Sequence, residues 1–167
     1  MDKILKTGRK PITFNGPLEA GIRAVAILGA AYPRSFDLQR LVAFDYLLVH
    51  TSDINGPDSL HPPSPMQSAE LLVRRKLVEQ ALLLMLTRNL VEREISQDGI
   101  RYIAGENAVL FLDALETDYL KSLRKRASWL VTKFGDWTDQ EFREIMRKFF
   151  DHWIEEFQMF ERSWGAE

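Results

Sequence analysis

The 167-residue chain is 46% hydrophobic and 11% aromatic, enough to furnish one compact core but too short for two full domains. It has no cysteine, which excludes disulfides and thiolate metal sites, and no apolar run reaches the roughly 18 residues of a membrane span. The formal net charge of −2 gives no general attraction to phosphate polymers, and without an apolar leader pattern the expected address is the cytoplasm.

Residues 1–16 read as an arm carrying a basic cluster of Lys3, Lys6, Arg9 and Lys10. Asn15-Gly16-Pro17 is turn chemistry that places proline at the first position of a helix. That helix has Leu18, Ile22, Val25, Ala26 and Leu28 on its apolar face, with Gly21 and Gly29 admitting a close neighbour, and Pro33 ends the pattern. A second helix is expected from Asp37 as cap, with Leu38, Leu41, Val42, Phe44, Leu48 and Val49 forming a stripe that Asp45 interrupts. A carboxylate there is more often a hydrogen-bonded structural acid than a catalyst. The stretch from Thr51 to Gln67 holds Pro57, Pro62, Pro63 and Pro65 and reads as a long loop, either functional or a rigid connector.

From Ser68, read as an N-cap, Leu71, Leu72, Leu77, Val78, Leu82, Met85 and Leu86 recur at helical spacing, with Arg74, Arg75 and Lys76 expected to reach water. The helix is expected to stop at Asn89, an acceptable left-handed cap. Alternation over Val91–Ile95, Asp98-Gly99, and then Ile100, Tyr102 and Ile103 spell a β-hairpin. Helix, hairpin and helix in that order outline a winged-helix unit over residues 17–105, within a mainly α chain whose C-terminal helices occupy 106–167. In those helices Ala108, Phe111, Leu112, Leu115, Leu123, Ala127, Leu130 and Phe134 keep helical spacing, as one helix expected to pack on the winged unit.

Thr138 with Glu141 three residues on forms a capping box for a final helix. Its stripe is aromatic: Phe142, Met146, Phe149, Trp153, Phe157, Phe160 and Trp164, widened by Ile145, Phe150 and Ile154. A face of that kind requires cover, either from this chain's own core or from a partner protein, so the seven stripe residues are candidate partner contacts. From Thr138 onward four Lys or Arg face eight Asp or Glu, so the acidity is C-terminal and the basic clusters, including Lys121, Arg124, Lys125 and Arg126, lie upstream. Such basic runs are most often solvated faces.

A winged helix commonly reads DNA, and Lys3, Lys6, Arg9, Lys10, Arg74, Arg75, Lys76, Arg93 and Arg101 are the candidate nucleic-acid contacts. Glu70 at the helix start and Glu92, Glu94 and Asp98 in the wing oppose sequence reading, so a DNA-binding transcriptional regulator is the alternative function. Catalysis is not expected, because the three histidines, His50, His61 and His152, accompany no cysteine and no glycine-rich phosphate cradle. His50, Asp53 and His61 match no familiar ligand spacing, and neither a metal nor another cofactor is expected. The serines of the 51–68 stretch lack a nucleophile-elbow context.

Several blocks carry a family resemblance when taken in order: the run from Phe14 to Arg23, Tyr32-Pro33-Arg34 with Asp37 to Leu41, Asp45 to His50, Ser59 to Pro62, and Ser68 to Arg75. Together they resemble the middle component of ABC-three-component systems, of the type called middle component 2, over nearly the whole chain. The resemblance implies a non-catalytic bacterial adaptor subunit that joins an ABC or SMC-like ATPase to an effector protein, as in Lamassu-like antiphage defence. It implies DNA contact within the complex at most, with no membrane and no small-molecule substrate.

Overall fold

The computed structural model describes residues 16–63 and 68–149, together with residues 159 and 162. Helix α1 (Pro17–Ala31) starts on Pro17, and the Glu19 carboxylate accepts a hydrogen bond from the Gly16 N–H at 3.1 Å. A two-residue strand, β1 (Phe36–Asp37), leads into α2 (Leu38–Val49), whose first turn is capped by Asp37 Oδ1 accepting from the Arg40 N–H at 2.8 Å. A short 3-10 turn (Thr51–Ile54) opens the proline-rich stretch, and α3 (Ser68–Thr87) follows, with Ser68 already inside the helix rather than preceding it.

Asn89 takes the left-handed conformation, φ 57°, that ends the chain's longest described helix. Strands β2 (Val91–Ser96) and β3 (Gly99–Ala104) then pair antiparallel around Gly99, whose φ of 112° suits a residue without Cβ. Strand β1 joins the far edge of β3, with Phe36 opposite Tyr102, giving the sheet order β1-β3-β2. Helices, a small three-stranded sheet and a hairpin directly after α3 make this mainly helical, winged-helix-like architecture. Only Val91 of β2 is buried, so beyond it this strand stands in solvent instead of presenting one covered face.

The expected single helix over 108–134 is two: α4 (Ala108–Asp113) and α5 (Asp118–Phe134). Apolar spacing runs across both, but Thr117 has extended backbone and its side chain accepts from the Leu120 N–H at 3.3 Å, a local cap that periodicity alone overlooks. Helix α6 (Asp139–Phe149) begins with the expected capping box: the Thr138 N–H donates to Glu141 and the Glu141 N–H to Thr138, at 2.8 and 3.1 Å.

One hydrophobic core runs through the described chain, from Ala24 in α1 to Met146 in α6. Gly21 makes room for Met85, since a Cβ there would lie 2.2 Å from Met85 Cε. Phe44 stacks edge-on against Phe36 and Phe142, both at 5.2 Å between ring centres, so the sheet, α2 and α6 meet at one aromatic ring. Phe142 and Met146, two of the candidate partner contacts, are buried within this chain, whose own core covers this end of the stripe. The side chain of Phe149 and all of Trp153, Phe157, Phe160 and Trp164 lie outside the described residues.

Replacing Phe142 with alanine removes a ring from this core and should cost about 3–5 kcal/mol. Urea denaturation of the isolated chain measures the loss, and an unchanged midpoint would separate α6 from the core.

Candidate interaction surface and the polar cluster behind it

Two largely apolar helices bring opposite buried charges together. Arg23 stands among Ala20, Ala24 and Ile27 of α1, and Asp45 among Phe44, Leu47 and Leu48 of α2; both are almost fully buried. Arg23 Nε donates to Asp45 Oδ1 at 2.6 Å and its Nη2 to Oδ2 at 3.3 Å, a two-pronged contact that suits guanidinium and carboxylate. Burial alone would pull the Arg23 pKa down, but the charge and hydrogen bonds of Asp45 lead the influences that hold it above its ordinary value.

A second guanidinium completes the cluster. Arg74 Nη1 donates to Asp45 Oδ2 at 2.5 Å and its guanidinium lies over the Tyr46 ring at 5.3 Å. Arg74 does not extend to water as expected because it sits on the buried stripe of α3: Arg74, Val78, Ala81, Leu82 and Met85 share one helical face. The periodicity contained this signal, but the neighbouring Arg75 and Lys76 made the three resemble a solvated run. Arg23 is the residue that sequence reasoning overlooks, although the one cation of α1 and the one anion of α2, each set within an apolar run, are natural complements.

Polar groups from the proline-rich stretch and α5 close around this clasp. The Tyr46 hydroxyl donates to Asp53 at 3.0 Å, His50 stacks on Tyr46 at 4.4 Å, and His61 Nε2 shares a 2.7 Å hydrogen bond with the Tyr119 hydroxyl. Thr51 donates to the Pro57 carbonyl at 2.7 Å, while Arg126 and Lys133 of α5 donate to the carbonyls of Asp58 and Ile54. The 51–63 part of the stretch is thus fastened as a connector. Among the described residues no three His, Asp or Glu side chains are grouped to hold a metal.

The outward face of α3 carries Val73, Lys76, Gln80, Leu83 and Thr87. Leu83 is 57% exposed and lines the same 510 Å³ groove as Ile100, Tyr102, Arg75, Glu79 and Arg143. Ile95, 79% exposed, pairs across the hairpin with Ile100 and extends this apolar line to the wing. Of the five described candidates for nucleic-acid contact, only Lys76 and Arg93 project freely into solvent. Arg74 is engaged by Asp45, Arg75 lies 3.4 Å from Glu79, and Arg101 donates to the Ser35 hydroxyl and carbonyl at 3.1 and 2.8 Å. Lys3, Lys6, Arg9 and Lys10 lie outside the described residues. The structure therefore brings together an exposed apolar line flanked by mixed charge, backed by a buried ionic clasp.

Asp45→Asn leaves two partly or wholly buried guanidiniums without their counter-charge and should destabilise the fold by about 3–5 kcal/mol, read from chemical denaturation. The histidines add a pH dependence. His50 is held below its ordinary 6.5 by burial first, with Arg74 and His61 adding to the effect and Asp53 and Asp45 opposing it. His61 is likewise lowered by burial, then by Arg23 and Arg74 against Asp45. The unfolded chain then binds protons more readily than the native one, so this contribution is complete above pH 6.5 and declines as pH falls below it. Melting curves from about pH 7 to 5 should show that slope, and replacing both histidines with glutamine should flatten it.

No curated protein and no solved structure matches the chain. One family model does, described as ABC-three component (ABC-3C) system Middle Component 2, over residues 13–156. The match takes in all the blocks from Phe14 to Arg75 that carried the resemblance, and with most of its length covered the chain belongs to the ABC-three-component system Middle Component 2 family.

Proposed function

We propose that this protein is a non-catalytic adaptor subunit of a bacterial, cytoplasmic ABC or SMC-like ATPase defence complex, linking the ATPase to its effector. Membership of the Middle Component 2 family carries the reading, because a middle component of a three-component system has the other two components as its partners. The described surface is compatible with that role: where a DNA-reading winged helix would present basic and amide side chains, α3 and the hairpin present Leu83, Ile95 and Ile100. No described helix is long and apolar enough to cross a membrane.

DNA contact within the assembly is assigned to the two described candidates that no carboxylate or carbonyl engages, Lys76 and Arg93, with Lys3, Lys6, Arg9 and Lys10 of the N-terminal arm. Such contacts would position the complex on phosphates without reading bases. The winged connectivity keeps the transcriptional regulator as the second reading, and the same cations discriminate the two.

Co-expression with the ATPase and effector encoded beside it tests the proposal. Leu83→Glu with Ile95→Glu should abolish co-purification of the ATPase, while the stability of the isolated chain changes by no more than ~0.5 kcal/mol per exposed site. Wild-type chain that never co-purifies with either neighbour would refute the adaptor. Lys76→Glu with Arg93→Glu should leave ATPase capture intact; if instead the isolated wild-type chain binds an operator-like duplex and this variant does not, the regulator reading holds.

A further inference from the structure

Strand β2 has one free edge. Among the described residues it pairs only with β3, from Val91 opposite Ala104 to Ser96 opposite Gly99 without interruption. An antiparallel strand turns only alternate main-chain N–H and C=O groups toward its neighbour, so the other half of those in β2 point away from the sheet. No described residue engages them, and from Glu92 to Ser96 the strand is exposed.

An exposed edge of this kind recruits extended chains unless it is blunted by proline, a bulge, shortness or a covering element. Strand β2 has the usual length of about 5–6 residues, contains no proline and keeps its register throughout. What it carries is charge. Glu92 and Glu94 share one face and Arg93 stands between them on the other, and none of the three forms an ion pair with a described residue.

That pattern rejects a second copy of this chain. A two-fold axis between antiparallel β2 edges preserves the two faces of the sheet, so residues an even number of positions apart meet. With Arg93 at the axis, it opposes its own copy and Glu92 meets Glu94 on both sides; with Glu94 at the axis, the two Glu94 carboxylates oppose each other. Those are the two longest pairings the strand allows, and like charges directly opposite are destabilising. A strand from another protein, with cations opposite Glu92 and Glu94, meets the same edge without that penalty.

We propose that the free edge of β2 takes up an extended segment of the ATPase as a fourth strand of the sheet, an inference that rests on the adaptor reading. The segment carries Lys or Arg opposite Glu92 and Glu94, two positions apart, and an apolar residue immediately beyond the second cation, opposite Ile95. Ile95 shares its face with Ile100 and Tyr102, which line the groove beside Leu83, so that apolar side chain continues the exposed line offered to the same partner. Main-chain hydrogen bonds supply the attachment and the three side chains its selectivity. The residue that meets Arg93 is unconstrained.

Hydrogen–deuterium exchange at single-residue resolution, on the free chain and on the chain co-purified with the ATPase, tests the added strand. In the free chain the β2 amides should alternate between slow and fast, the slow ones held by β3, and in the complex the fast ones should slow by about tenfold or more. Glu92→Lys with Glu94→Lys should reduce ATPase capture about tenfold while leaving the melting of the isolated chain unchanged, and Glu92→Gln with Glu94→Gln should reduce it less. Capture of the ATPase with the fast amides still fast, capture unmoved by the lysine pair, or capture of the effector alone would each overturn the strand and leave the adaptor standing. A chain that captures neither neighbour would overturn both.

Discussion

The carboxylate of Asp45 lies between the guanidiniums of Arg23 and Arg74, and that clasp fixes three helices at once. Dispersion and burial hold α1, α2 and α3 together without regard to direction, because Leu, Val and Ala pack acceptably in many rotations. Two charge-assisted contacts to one acceptor are far less tolerant. A rotation of α3 that withdrew Arg74 would strand a cation and expose the remaining charge pair to an apolar interior, an expensive alternative. The direction of the α3 outer face, and with it the placement of Leu83 beside Ile100, follows from the inward commitment of Arg74.

Helix α2 bears a member of each of two ionic joints, Asp45 of the clasp and Arg40 of the joint with Asp139 at the start of α6. They stand five positions apart, so they leave the helix on different faces. The first joint reaches α1 and α3, and the second reaches α6 and, through Arg101, strand β3. Phe44 lies between these positions in sequence and packs on both Phe36 and Phe142. The winged unit and the C-terminal helices are consequently joined by charge and by aromatic packing through one short helix, rather than by loose apposition.

The devices that act within a few residues were legible in the sequence. Pro17, Asp37, Thr138 with Glu141, Asn89 and Asp98-Gly99 each fulfil a local backbone requirement, and each marks its element where expected. Legibility failed where a partner lies far along the chain. Strand β1 has two residues and exists because β3, more than sixty positions later, offers it an edge. Arg40 and Arg101 look like ordinary surface cations until α6 brings Asp139 between them. Arg74 was hidden by a different cause: its helical phase was readable, but two adjacent basic residues disguised it. The Phe142 stripe posed the opposite difficulty, since periodicity demands cover for an apolar face and is silent on which molecule supplies it.

An architecture that elsewhere enters the major groove here has most of its candidate basic contacts committed inside the fold. Attraction to DNA grows with the number of cations free to replace counterions at phosphates, and a side chain already held by a carboxylate contributes little to that number. Arg74, Arg75 and Arg101 are engaged by Asp45, Glu79, and Ser35 with Asp139, respectively. Glu92 and Glu94 flank Arg93 in the wing and Glu79 follows Lys76 on α3, so the two remaining cations stand in nearly neutral surroundings. What the α3 and hairpin surface does offer is apolar area at Leu83, Ile95 and Ile100, whose burial becomes favourable only when another surface excludes water from it. The arginines that clasp the winged unit from within are thus withdrawn from phosphate, and the outer face beside them is marked by exposed apolar side chains.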